Sequence, residues 1–189
     1  MGKKLSDMSL EELWQLFPIF LTEHKECWEK WYEEELTLLQ SKLPHDEIKR
    51  ISHIGSTSIK TIWAKPTVDI LIEVFAECNT SCIKDILVNN GYSCMCQSEN
   101  RMSLCKGYTE NGFAEKVYHL HLRYAGDNSE LYFRDYLEEY PDIAKEYEKL
   151  KLKLWKKYEH NRDGYTDAKA DFTMRYTEEA KQTYGDRYY

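Results

Sequence analysis

Positive charge is in short supply in this chain. Against 33 acidic side chains stand 26 lysines and arginines, a formal net charge of −7. The broad basic surface that sequence-independent nucleic-acid binding needs is therefore excluded, although a local basic pocket for one nucleotide is not. Long apolar runs are missing too. None approaches a membrane span, and the N-terminus has no signal-peptide core. The opening Met-Gly-Lys-Lys-Leu-Ser fits a myristoylation pattern formally, with nothing else in the chain to support an anchor. No Gly/Ser linker, repeat or low-complexity tract divides the sequence. The six cysteines form no Cys-x-x-Cys pair, which removes the usual structural zinc site and leaves reduced packing thiols in a cytoplasmic protein.

What is present fits one globular domain: 189 residues, 42% hydrophobic and 31% charged. Ser9 followed by Glu12 reads as a capping box for a helix that Pro18 ends. Between Thr22 and Leu43, Trp28, Trp31, Tyr32, Leu36, Leu39 and Leu43 recur at helical spacing, with Glu and Lys opposite. Ile48–Gly55 and Val68–Val74 read as strands. A helix over Asn79–Asn90, closed by Gly91, leads to strands at Tyr92–Gln97 and Arg101–Tyr108. A polar connection holding Asn111-Gly112 precedes a strand over Val117–Tyr124. Helices are expected over Ser129–Glu139, Pro141–His160 and Tyr165–Thr183. The expected fold is α+β: a small mixed sheet between N-terminal and C-terminal helical blocks.

The most informative stretch is His53 to Val74. Gly55 lets the backbone approach a ligand closely, and Ser56 and Thr57 offer hydroxyls beside the free N–H groups of a new helix, a corner suited to phosphate. On the following strand Val68, Ile70, Ile72 and Val74 share an all-β-branched face that should lie under helices. Asp69, Leu71 and Glu73 share the other, which should look toward the site. Glu73 lies about 13 Å along the strand from Asp69, too far for both to hold one ion at about 2.1 Å. A salt bridge or a place at the rim is the expectation for it.

On the later strand His119, His121 and Arg123 share one face. The two imidazoles stand about 6.6 Å apart by strand rise, so both could reach one ligand. With Asp69 they would make a two-His, one-carboxylate set suited to a transition metal. Alternatively they contact phosphate, or move a proton, or simply occupy a solvated sheet face. Arg123 on that face adds to the case for an anion. Lys65, Arg134, Lys151 and Lys169 are the other cationic candidates. Arg134 sits near the start of a helix, in Tyr-Phe-Arg-Asp-Tyr-Leu, where a guanidinium can meet phosphate in bidentate fashion.

The block His53-Ile-Gly-Ser-Thr followed by Lys65-Pro66 and an Asp-bearing strand resembles nucleotidyltransferases of the polymerase-beta type, and more closely the GrpB family. The likeness extends to Glu-Leu-Trp-Gln-Leu-Phe-Pro near the N-terminus, to His119-Leu-His121, to Phe133-Arg134-Asp135-Tyr136-Leu137, and to Tyr165 followed by Lys169. It implies a nucleotidyltransferase-like fold, with Gly55, Ser56, Lys65, Asp69, His119, His121 and Arg134 at the recurring motif positions. In such enzymes two carboxylates on alternate strand positions bind Mg²⁺. Here one is missing: the alternatives to a second acid are Leu71 and Thr67. The family's Val-Pro-Gly-Leu-like step is also replaced, by Ile59-Lys60-Thr61-Ile62, which points to a more helical loop.

Three readings follow. The first is a metal-dependent nucleotidyltransferase-like enzyme that binds a nucleoside triphosphate at Gly55-Ser56. It would hold Mg²⁺ or Mn²⁺, or Zn²⁺, through Asp69 and the histidines, and use an unidentified small acceptor. The second is a catalytically degenerate domain that binds a nucleotide or metabolite. The third is an interaction module built on the aromatic helical blocks, for which fifteen tyrosines supply contact material.

Overall fold

The computed structural model describes residues 3–189, so Met1 and Gly2 of the formal myristoylation pattern lie outside the described residues. Five strands form one mixed sheet in the order β1-β2-β5-β4-β3. These are β1 (Ile48–Ile54), β2 (Val68–Val74), β3 (Ser93–Gln97), β4 (Arg101–Thr109) and β5 (Gly112–Tyr124). All neighbours run antiparallel except β2 and β5, which are parallel, with Asp69 opposite His119 and Leu71 opposite His121. The helices are α1 (Leu10–Leu16), α2 (Cys27–Lys42), α3 (Thr80–Asn89), α4 (Ser129–Glu139), α5 (Pro141–Tyr158), α6 (Arg162–Asp167) and α7 (Ala170–Tyr184). The fold is α+β, as the order of elements implies. Among the described residues no helix is long and apolar enough to cross a membrane.

The alternation along β2 decides which face becomes core. Val68, Ile70, Ile72 and Val74 are fully buried with Tyr118, Leu120 and Leu122 of β5, against Trp28 and Leu39 of α2 and Ile83 and Leu87 of α3. Each such aliphatic side chain contributes on the order of 1.5–3 kcal/mol, so this face anchors the domain. On the opposite face Leu71 packs with Ile54 and Leu131 of α4. The tyrosines of the helical block are mostly packing material: Tyr132, Tyr136, Tyr176 and Tyr184 meet between α4 and α7. Farther along the same face, α1 and α6 stand off from β3–β5 and leave a cavity.

Several boundaries differ from the sequence expectation, each for a local reason. The capping box is formed, with Ser9 accepting from the Glu12 N–H and Glu12 from the Ser9 N–H. But α2 begins at Cys27, not Thr22, because Thr22 exchanges two 2.9 Å backbone hydrogen bonds with Ala64. The expected connection before Val117 belongs to β5, which starts at Gly112 after a turn closed by the Thr109 hydroxyl. The last expected helix is two, α6 and α7, parted at Ala168–Lys169. The Ile59–Ile62 segment is a turn, not a helix: both isoleucines insert into a cluster with Leu137, Ala144 and Tyr147.

Candidate functional site

The parallel register of β2 and β5 brings Asp69, His119 and His121 together. One carboxylate oxygen, Asp69 Oδ1, lies 3.3 Å from His119 Nδ1 and 3.7 Å from His121 Nε2. A carboxylate only accepts, so His119 Nδ1, the nearer of the two ring nitrogens, carries hydrogen. The remaining nitrogens fit that assignment. His121 Nδ1 accepts from Arg123 Nη2 at 3.3 Å. His119 Nε2 accepts from the Tyr108 hydroxyl at 2.7 Å, with Arg162 Nη2 at 3.5 Å. Burial opposes ionisation of Asp69, but the hydrogen bonds from His119 and His121 outweigh it and hold the carboxyl below the usual carboxylate range. His119 moves down to about 4, because burial disfavours its charged form and Lys65 and Arg162 add repulsion, while Asp69 opposes both. A neutral His119 thus faces an ionised carboxylate, with His121 beside the same oxygen.

Beside the two histidines lies a cavity of about 840 Å³. Its polar wall holds Lys65, Tyr108, His119, His121 and Arg162, and its apolar wall includes Leu13, Trp14 and Phe17. A second chamber of about 360 Å³, lined by Gly55, Ser56, Asp69 and Arg134, meets the first at His121. Neither Lys65 nor Arg162 forms an ion pair with a carboxylate among the described residues. The Lys65 ammonium instead lies 5.6 Å from the centre of the Phe113 ring. Burial and Arg162 lower Lys65 to about 7, against the pull of Asp69. Burial likewise lowers Lys169, 4.2 Å from the Tyr165 ring centre, to about 8. The larger cavity therefore carries two cations without ion pairs, Lys65 and Arg162, with Asp163 and Asp167 elsewhere on its lining, and the Lys65 side suits an anion with an apolar part.

The other expected site residues are placed differently. Gly55 has φ 71°, and a Cβ there would overlap Asp69 Oδ2, so the close approach that demands glycine is to Asp69 and not to phosphate. The new helix after it is only a three-residue turn, Ser56–Ser58, which offers no helix N-terminus to an anion. The Ser56 hydroxyl accepts from Lys151 at 3.0 Å, and Lys151, lowered to about 7 by burial and by Lys169, also donates to the Trp63 carbonyl. Thr57 is buried away from the site; it donates to the Thr67 carbonyl and sits 3.0 Å from His53 Nε2. Arg123 is buried beneath His121 and donates to the Met102 and Leu122 carbonyls, so it orients an imidazole instead of meeting an anion. Arg134 donates to His53 O, to Asp135 and to the Tyr188 hydroxyl, which leaves its fork engaged in the scaffold. Glu73 is a buried salt-bridge partner, 2.7 Å from Arg50 Nε.

Two residues of the site escaped the sequence reading. Tyr108 did so because strict alternation from Cys105, the partner of His119, places residue 107 on the histidine side; the register breaks at Gly107 (φ 92°) and brings Tyr108 there instead. Arg162 lies in the stretch read as a connection before the last helix. Its only sequence signal is the Asn161 cap that opens α6.

The donor set does not fit a divalent metal. Asp69 is the one carboxylate paired with the histidines among the described residues, its inner oxygen faces their ring nitrogens, and His119 has no nitrogen lone pair to spare. Leu71 is buried against Leu131, and Thr67 gives its carbonyl to Thr57. No group of three metal-ligating side chains occurs among the described residues.

A mixed sheet with its polar corner between β1 and β2 is the nucleotidyltransferase-like fold. Cid1 poly(U) polymerase in its MgGTP-bound structure shares it at a TM-score of 0.50 and 13% identity, over 72% of this chain and 44% of that one. The chain belongs to the GrpB family, whose model, described as GrpB protein, matches residues 18–179. It is 34% identical to the Glutamate-rich protein GrpB of Alkalihalophilus pseudofirmus, over 82% of this chain and 91% of that protein. The crystal structure of conserved protein GrpB from Enterococcus faecalis matches at a TM-score of 0.75 and 28% identity, covering 87% of this chain and 99% of the other.

Proposed function

We propose that this chain binds a nucleoside triphosphate in the larger cavity without a metal ion: the nucleotide-binding reading, in preference to the metal-dependent transferase. The observation that carries it is the pair Lys65 and Arg162 on the cavity wall, neither of which forms an ion pair among the described residues although Asp163 and Asp167 line the same cavity. An unpaired buried charge is costly, and a bound phosphate chain removes that cost through charge-assisted hydrogen bonds. At about 840 Å³ the cavity has the size of a small-molecule site, and Leu13, Trp14 and Phe17 give the organic part of the ligand an apolar wall. Fold neighbours whose structures are described as MgGTP-bound add that the scaffold accepts nucleotides.

Calorimetric titration of the four ribonucleoside triphosphates, with chelator or with Mg²⁺, tests this. Binding is expected in chelator. Lys65→Met and Arg162→Met should each weaken it roughly tenfold or more, the worth of a hydrogen bond to a charged group. Binding that appears only with Mg²⁺ restores the metal-dependent reading, and no binding in either buffer removes the nucleotide.

A further inference from the structure

The tightest polar contact at the trio joins Tyr108 to His119, and no role in binding an anion requires it. Tyr108 Oη, His119 and Asp69 form a continuous chain: phenol to Nε2 at 2.7 Å, then Nδ1 to carboxylate at 3.3 Å. This is the order of groups that activates a hydroxyl nucleophile: a hydroxyl, an imidazole that can take its proton, and a carboxylate that fixes the tautomer and pairs with the imidazolium formed. The phenol lines the cavity beside Lys65 and Arg162.

We propose that Tyr108 is a nucleophile that accepts a nucleotidyl group, with His119 as general base and Asp69 as the residue that positions it; the proposal rests on the nucleotide reading above. Tyr108 Oη forms a bond to the α-phosphorus, the bridging bond between the α and β phosphates breaks, and pyrophosphate leaves with the electron pair. The phenolic proton passes to His119 Nε2, and Asp69 Oδ1 faces the resulting imidazolium through Nδ1–H. The products are a tyrosyl nucleotide ester and pyrophosphate.

The site sets one requirement for that step and supplies two features that serve it. Burial pushes the Tyr108 phenol up to about 12 while the empty site holds His119 at about 4, so phenolate is not preformed and transfer needs the bound anion to make the imidazole more basic. Lys65 and Arg162 help to keep His119 neutral while the cavity holds no anion. A triphosphate between those cations offsets their charge and makes the imidazole more basic when its ligand is in place. The carboxylate that serves a metal in related folds serves here as the third member of the relay.

The test is acid-quenched incubation of the full-length protein with a mixture of the four ribonucleoside triphosphates in chelator, followed by intact-mass and fragment spectrometry. Calorimetry on the same samples reports binding. One nucleotidyl adduct per chain is expected, mapping to Tyr108. Tyr108→Phe should abolish it and keep triphosphate affinity within a few-fold. His119→Gln should slow its formation by on the order of 100-fold or more, again with little change in affinity. Binding with no adduct and no pyrophosphate release overturns the proposal and leaves the nucleotide reading intact. An adduct or pyrophosphate release that survives Tyr108→Phe also overturns it. Absence of binding removes the nucleotide reading, and the proposal with it.

Discussion

Lys106 and Lys65 are both drawn largely out of solvent, and only one has an acidic partner. Lys106 Nζ lies 2.8 and 3.0 Å from the two oxygens of Glu35 on α2, and the Tyr92 hydroxyl donates to the same carboxylate at 3.0 Å. That cluster sits on the helix-covered face and closes upon itself. Lys65 has Phe113 for company, Arg162 and Lys169 as like charges nearby, and Asp69 already committed to two imidazoles. A buried charge that is paired belongs to the fold. One left unpaired on a cavity wall carries a cost the fold does not recover, and that cost is what an arriving anion removes.

Substitutions on the two sides should separate these roles. The largest loss of stability is expected for Glu35→Ala, which strands Lys106 and the Tyr92 hydroxyl. About 3 kcal/mol should disappear in urea denaturation, with triphosphate affinity of the folded protein unchanged. A loss below about 1 kcal/mol would put this cluster among exposed ion pairs and blur the contrast. Gly55→Val should cost about 2 kcal/mol, from a left-handed φ and the displaced carboxylate. Because Asp69 moves with it, triphosphate affinity should fall too; an unchanged affinity would free the site from the Gly55 corner. Lys65→Met should behave the opposite way to Glu35→Ala, with triphosphate binding weakened roughly tenfold or more and stability level or raised by up to about 1 kcal/mol. A clearly destabilised Lys65→Met would show that this lysine also belongs to the fold.

The smallest effect is one of pH. Lys65 and Lys169 stand at about 7 and about 8 in the folded chain, against about 10.4 when unfolded. Between those limits the unfolded state binds more protons, so these two lysines make the ligand-free protein more stable as pH rises from 7 toward 10. Anion binding follows the opposite course, since it needs Lys65 protonated. The rise in melting temperature caused by triphosphate should therefore be largest near pH 6.5 and shrink by pH 8.5. A shift that stays constant over that range would remove Lys65 from the binding surface.

The strands and the convergence of Asp69 with the histidine pair were legible because alternation is a strict code. A residue that shares a face with one buried neighbour shares it with the next. The parallel pairing of β2 with β5 then does the rest. What was not legible depended on breaks in that code. Tyr108 reaches His119 only through the irregularity at Gly107, and α2 starts late only because Thr22 pairs with Ala64. Arg123 and Arg134 misled for a different reason. Sequence shows where a guanidinium is attached but not which carbonyls are waiting for it, and both found scaffold partners first. The glycine at 55 was correctly singled out, but the group that presses against it is the protein's own carboxylate.

The parallel pairing of β2 and β5 also has a kinetic consequence. Asp69 and His119 are neighbours across strands separated in sequence by α3, β3 and β4, and Arg162 arrives later still, from α6. Contacts of such sequence separation close slowly, because the intervening chain must be ordered before they form. The cavity is therefore expected to form late in folding. A triphosphate bound there, as proposed, would engage only folded chains, and by mass action it would draw the population toward them. Recovery of triphosphate binding during refolding should lag behind recovery of the helix signal, and ligand in excess should slow unfolding more than it speeds folding.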